Sequence, residues 1–262
     1  MIQRHQLFPF SFALAALFAV AAVQQPTPPV ILPPEQAAKE GRALVDEMLS
    51  QPPDANTVTG VLAIRRPGKP YTEIPIRFQT AVTPTNWVSV YQAKLSDKME
   101  TVTVVHAPGQ PNIYYSGPNR FTFGGSEYPL NYEPAPLSAK AILAPFAGSD
   151  FSIADLGLEF LHWPDQKLLQ KEMKRSRSCR VLESTNPHPT AGGYAKVKSW
   201  VDNESHGILL AQAFDVKGNK IKEFLPGDFS KSKATGQWQL GKMQITDLQT
   251  DSSTTVRFDV DK

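Results

Sequence analysis

Asp155, Glu159 and His162 stand at i, i+4 and i+7 within "GSDFSIADLGLEFLHWPDQ", residues 148–166. At 3.6 residues per turn, a helix carries these three on one face. Glu159 and His162 form a Glu-x-x-His pair, the spacing with which bundle helices supply two ligands to a metal ion. A carboxylate beside an imidazole could also serve as an acid and a base. The rest of the chain completes neither arrangement. A bundle metal site needs a second Glu-x-x-His helix and further carboxylates, and no second copy occurs. His106, His188 and His206 fall at a strand end and in two loops. H-E-x-x-H, C-x-x-C, G-x-S-x-G and G-x-G-x-x-G patterns are absent. Neither a metal nor a cofactor is therefore expected.

The same stretch also reads as a short capped helix. Ser152 followed by Asp155 matches the S-x-x-[DE] capping pattern. Ile153, Leu156, Phe160, Leu161 and Trp163 fall on one side at 100° per residue, and Pro164 stops the helix. Asp155, Glu159 and His162 are then expected to face water, with the apolar side laid over another element.

Near the start of the chain, Arg4 and His5 precede an apolar run from Leu7 to Val23, which Pro9 and Ser11 interrupt. This reads as a signal peptide over residues 1–22, cut near Ala22 after the small residues Val20-Ala21-Ala22. No cysteine lies there to accept a lipid. A proline-rich tether over residues 23–34 follows ("QPTPPVILPP"), an extended spacer by its fixed φ angles. The 262-residue chain has one cysteine, Cys179, so no internal disulfide can form and the exported domain must rest on its core. The net charge of +2 builds no field that favours nucleic acid.

Residues 35–262 read as a single domain. "EQAAKEGRALVDEMLS" is an amphipathic N-terminal helix, closed by Pro52-Pro53. Strand signals then recur at short spacing. In "TEIPIRFQT", Ile74, Ile76 and Phe78 alternate with polar residues. "PLSAKAILAPFAG" (136–148) reads as a helix, and strands resume after Gln166. "KEMKRSRSCR" is basic, but its charges fall on both faces of a strand and no aromatics interleave, which fits a solvated edge rather than a nucleic-acid stripe. Cys179 reads as a small core residue, and Asn203-Glu204-Ser205 as a sequon with meaning only in a eukaryotic secretory route. The fold class is mainly β (α+β), an antiparallel sheet of roughly a dozen strands that must curl, with an N-terminal helix and two mid-chain helices as lids.

"GSDFSIADL", "YAKVKSWVD", "FDVKGNKIKEF" and "WQLGKMQITDLQTDSSTTVRF" follow one another from Gly148 to Phe258. Together, in this order, they resemble the LolA-like outer-membrane lipoprotein-sorting proteins of Gram-negative bacteria. The resemblance implies an incomplete β-barrel around an apolar cavity under helical lids. It also implies periplasmic binding of lipid or lipoprotein acyl chains, and no catalysis. Membrane contact would be peripheral and transient, with envelope proteins as possible partners. Candidate cavity residues are Ile74, Ile76 and Phe78 on the sheet, with Leu143, Phe146, Phe151, Ile153, Leu156 and Phe160 in the lids. The competing reading is a non-enzymatic envelope interaction module with a solid core and no lipid. A hydrolase has only scattered Ser, Asp and His residues in its favour.

Overall fold

Short apolar-polar alternations bounded by Pro, Gly, Asn and Asp become strands that pair with their sequence neighbours. The computed structural model describes residues 32–50, 56–117, 135–231 and 238–259. The expected signal segment and most of the tether lie outside the described residues. In the first meander, β1 (Asn56–Arg65), β2 (Thr72–Val82), β3 (Trp87–Lys94), β4 (Met99–His106) and β5 (Ile113–Ser116) pair in order, all antiparallel. The second runs through β6 (Asp165–Lys174), β7 (Arg177–Thr185), β8 (Lys196–Asp202), β9 (Ile208–Phe214) and β10 (Lys220–Pro226).

Three more strands tie the halves together. β11 (Phe229–Lys231) and β12 (Trp238–Leu240) form a separate two-stranded ribbon. β13 (Lys242–Asp247) then returns beside β10, and β14 (Ser252–Phe258) lies between β13 and β1. The result is one sheet of 12 strands in the order β5-β4-β3-β2-β1-β14-β13-β10-β9-β8-β7-β6. Its ends, β5 and β6, do not pair with each other, so the barrel stays open. "WQLGKMQITD", read from the sequence as one strand, breaks at Gly241. There the Gly241 N–H donates to the Asp228 carbonyl at 2.6 Å and the Gly241 carbonyl accepts from the Phe258 N–H at 2.9 Å. "KEMKRSRSCR" spans the end of β6 and the start of β7. Arg175 (φ 51°) and Ser176 (φ 62°) form the two-residue turn of the β6–β7 hairpin, whose primed geometry suits the strand twist.

The inner face carries a continuous apolar core. Leu62, Ile64, Ile74, Ala93, Val102, Val104, Leu182, Val197, Val201, Ile221, Phe224, Ile245 and Val256 contribute from eleven of these strands together with Tyr114 and Ala211. The helix α1 (Pro34–Leu49) closes one end by burying Leu44 and Val45 against it. Gly41 permits the approach, because a Cβ there would lie 2.7 Å from the Lys167 backbone of β6. On the outer face, Trp200, Leu209, Leu210, Cys179 and Val181 form a smaller cluster.

The mid-chain helices are shorter than their sequence suggests. Residues 136–148 hold two 3-10 turns, Ala141–Leu143 and Phe146–Gly148, separated by Pro145, which lacks an N–H and stays extended. The second helix, α2 (Ile153–Leu156), is a single turn followed by a 3-10 turn at Glu159–His162. These pieces lie across the inner face, where Phe146, Phe151, Ile153, Phe160 and Leu161 join the core.

Candidate functional site

Ser152 starts α2 as its sequence predicts. The Asp155 N–H donates to Ser152 Oγ at 3.3 Å, and the Ser152 N–H donates to Asp155 Oδ2 at 2.7 Å, completing a capping box. The helix then stops. Leu158 adopts a left-handed conformation (φ 48°, ψ 46°), costly for a leucine. The turn is held from outside. Tyr91 Oη donates to the Leu156 carbonyl at 2.8 Å, and Asn112 Nδ2 to the Gly157 carbonyl at 2.8 Å. Gln166, buried, donates to the Phe160 and Trp163 carbonyls at 3.0 and 2.9 Å and accepts from Ser184 Oγ at 2.7 Å.

This break overturns the expectation that Asp155, Glu159 and His162 share a face in water. The 100° phase between residues is lost at Leu158, so Asp155 and Glu159 border one cleft and His162 another. Asp155 is 7% exposed; its Oδ2 accepts from Tyr194 Oη at 3.1 Å and lies 3.8 Å from Lys222 Nζ. Glu159 accepts from Tyr114 Oη at 2.8 Å, and burial raises its carboxyl above the ordinary glutamate range. Burial lowers the His162 imidazole, and among the described residues its Nε2 has no hydrogen-bond partner. Among the described residues no three His, Cys, Asp or Glu side chains gather in a group that could hold a metal ion.

A polar seam runs behind the lid. His106 is buried, stacks on Trp87 at 5.0 Å and shares a 2.8 Å hydrogen bond between Nδ1 and Asn112 Oδ1. Asn112 Nδ2 is already donating to Gly157, so its oxygen accepts and the neutral imidazole carries its proton on Nδ1. Burial pulls the His106 pKa down to about 4. Burial likewise pushes the Tyr91 and Tyr114 phenols up, keeping both as donors.

Three clefts border this segment. The first, of about 300 Å³, opens between the lid and the 186–194 loop and is lined by Ile142, Leu143, Phe160, Trp163, Pro187, Tyr194 and Lys222, among others. The second, of about 370 Å³, lies on the other side of Leu143 and Ser152, against the β1–β2 turn and β14; Arg66, Lys69, Lys222, Asp150 and Asp247 line it. The third, of about 460 Å³, separates α1 from the β4–β5 turn and includes Val45, Leu49, Trp87, Leu161 and Trp163.

The candidate cavity residues divide by position. Leu143 lines the first two clefts, and Phe160 lines the first. Ile74, Phe146, Phe151 and Ile153 are packed between lid and sheet, with Ile76 and Leu156 at the margin of that core. Phe78 packs against Tyr91 with the rings tilted and their centroids 4.8 Å apart, and lies 6.2 Å from Phe258. Sequence reasoning missed Trp163, Tyr194 and Lys222. Lys222 shares the inner face with Phe224, two residues on, while Ile221 reaches the same core at the register shift between Lys220 and Lys222 where β10 pairs with β9. A bulge of this kind changes which side chains face the core and leaves no mark in simple alternation.

No curated protein matches the chain. A sequence family described as "Uncharacterized protein" matches residues 131–260. Among solved structures, a proposed outer membrane lipoprotein-sorting protein domain from Vibrio parahaemolyticus superposes with a TM-score of 0.64 at 16% identity, covering 85% of this chain and 91% of that one. A DUF1329 family protein from Desulfovibrio piger gives 0.62 at 19% identity, again over 85% and 91%. The LolA superfamily protein NE2245 from Nitrosomonas europaea gives 0.53 at 15% identity with the same coverage. The fold is LolA-like. Its sheet is the open antiparallel one expected from the sequence, accompanied among the described residues by α1 and short mid-chain turns. In this chain the segment that covers the inner face is tied down by hydrogen bonds from Tyr91, Asn112, Tyr114 and Gln166.

Proposed function

We propose that this protein is a periplasmic carrier that holds lipid or lipoprotein acyl chains under its lid and performs no catalysis. The observation that carries the reading is the 300 Å³ cleft at the edge of the lid, where Ile142, Leu143, Phe160, Trp163 and Tyr194 give a ligand an apolar wall. Its volume is at the lower end of ligand sites, which run from about 300 to 1,000 Å³. Lifting the segment from Phe146 to Trp163 would extend that wall. Phe146, Phe151, Ile153 and Leu156 would be uncovered from above, and Ile74, Ile76 and Phe78 from below. Burial of a CH₂ group contributes roughly 0.8 kcal/mol, so a sixteen-carbon chain gains on the order of 10 kcal/mol before ordering costs. The similarity to LolA-like folds supports a carrier architecture, and the predicted export signal supports a place in the envelope.

Leu143 and Ile142 are half-exposed, so they can be changed without opening the core. Ile142→Asp with Leu143→Asp is expected to weaken uptake of a fluorescent fatty acid at least about tenfold, because a charge at an apolar wall must be desolvated. The melting temperature should stay near that of the parent. Unchanged uptake by the double variant would remove this cleft from the binding path. The competing reading, an envelope interaction module without a lipid, draws support from the close packing of Phe146, Phe151 and Ile153. It predicts a stoichiometric protein partner and no fatty-acid uptake at all.

A further inference from the structure

The apolar cleft does not end in solvent on all sides. Leu143, Ser152 and Lys222 line both it and the 370 Å³ cleft beside it. Lys222 stands at this junction with its side chain 16% exposed. Its ammonium donates to the Asp150 carbonyl at 2.6 Å and lies 5.6 Å above the Tyr194 ring. Arg66, which donates to the Gly148 carbonyl, and Lys69 stand across the second cleft on the β1–β2 turn.

Two carboxylates share this second cleft, and both are engaged by their own chain. Asp150 accepts from Ser252 Oγ at 2.5 Å and Thr254 Oγ1 at 2.7 Å. Asp247 accepts from the Gln249 and Thr250 N–H groups at 2.9 and 3.1 Å. The cations are donors only, and an ammonium and a guanidinium have more N–H groups than these bonds use. The lining thus has three cations against two carboxylates that are already hydrogen-bonded, with a third carboxylate, Asp155, 3.8 Å from Lys222 Nζ. The first cleft also holds Asp155 and Glu159, each hydrogen-bonded to a tyrosine, beside an apolar wall of Ile142, Leu143, Phe160 and Trp163; joined to the cationic lining, that wall suits an amphiphile with an anionic head. Arginine and lysine are the side chains that take phosphate best.

We infer that the paired clefts form one site for a phosphate-headed amphiphile, with its chain between Leu143, Phe160 and Trp163 and its phosphate among Lys222, Arg66 and Lys69. The inference rests on the carrier reading for the chain and adds the class of the head group. It gives the protein a preference for acidic lipids over neutral acylglycerols. The head adds to affinity through charge, so salt weakens its share while the share of the chain persists.

Calorimetric titration of the purified protein with three probes below their micelle concentrations tests this. The probes are dodecyl phosphate, 1-monolauroylglycerol and glycerol 3-phosphate. Dodecyl phosphate is expected to bind about tenfold or more tighter than monolauroylglycerol, and glycerol 3-phosphate at least a hundredfold more weakly than dodecyl phosphate. Raising the salt concentration should narrow the gap between the two amphiphiles. Arg66→Gln with Lys69→Gln, at partly or fully exposed positions, should narrow it as well and leave monolauroylglycerol binding unchanged; Lys222→Gln should do so more strongly. Equal, salt-independent binding of both amphiphiles would overturn the head-group assignment and leave the carrier reading standing. Glycerol 3-phosphate binding as tightly as dodecyl phosphate would also overturn it, marking a site for free phosphate esters. Binding of none of the three would overturn both.

Discussion

His106 is held neutral between Trp87 and Asn112 because its surroundings cannot solvate an imidazolium. Its pKa falls from 6.5 to about 4 on folding. Between those values the unfolded chain binds a proton that the folded chain does not, so stability drops as pH falls through this window. The full effect is on the order of 3 kcal/mol. His162, also lowered by burial, acts in the same direction. Glu159 acts in the opposite one, because its raised carboxyl keeps a proton in the folded state that the unfolded chain has released. A difference measurement separates them. Urea denaturation of the parent and of His106→Asn from pH 7 to pH 4 should show the stability advantage of the parent shrinking by about 2–3 kcal/mol as pH falls. Parallel curves would mean that His106 is solvated. Not all of this scale can be read in the sequence. The Ser152–Asp155 cap is legible, because both partners are local and three residues apart. The burial of Glu159 and His162 is not, since it depends on Leu158 turning left-handed, and that is imposed by Tyr91 and Asn112 from distant strands.

The lid is a chain of single turns, each too short to persist alone, since isolated helices need about 12–15 residues even to be marginal. Its shape therefore depends on contacts with the sheet. Gly157 is the tightest of these. A Cβ there would collide with Tyr114 Oη and lie 2.9 Å from Asn112 Nδ2. Gly157→Ala should push the turn off β5, break the Asn112 and Tyr114 bonds to the lid, and cost about 1–3 kcal/mol in urea denaturation. Fatty-acid uptake should quicken in the same variant if the lid is what a ligand must displace. An unchanged midpoint would show that the lid has slack at this point. The strands were legible one by one, because alternation and turn residues are local. The helices were overestimated, because periodicity registers an apolar face and is blind to the left-handed residues at Ala147 and Leu158 that cut it into turns.

At the scale of the molecule, the sequence supports an open antiparallel sheet of about a dozen strands, and the sheet has 12. The placement of β14 between β1 and β13 was beyond it, since this pairing joins residues nearly two hundred positions apart and no local pattern encodes it. The same pairing makes the carrier reading mechanically reasonable. Two meanders joined through the C-terminal strands leave both outer edges, β5 and β6, free of each other, so the inner face can accept volume beneath the lid without breaking a ladder. The carrier reading places acyl chains on the inner face. Native mass spectrometry of the protein expressed with its export signal and purified without detergent tests it most directly. The account predicts a population carrying one lipid or fatty acid, which is lost on solvent delipidation and restored on adding lipid. A protein that always appears at its bare mass, before and after lipid is added, would contradict it.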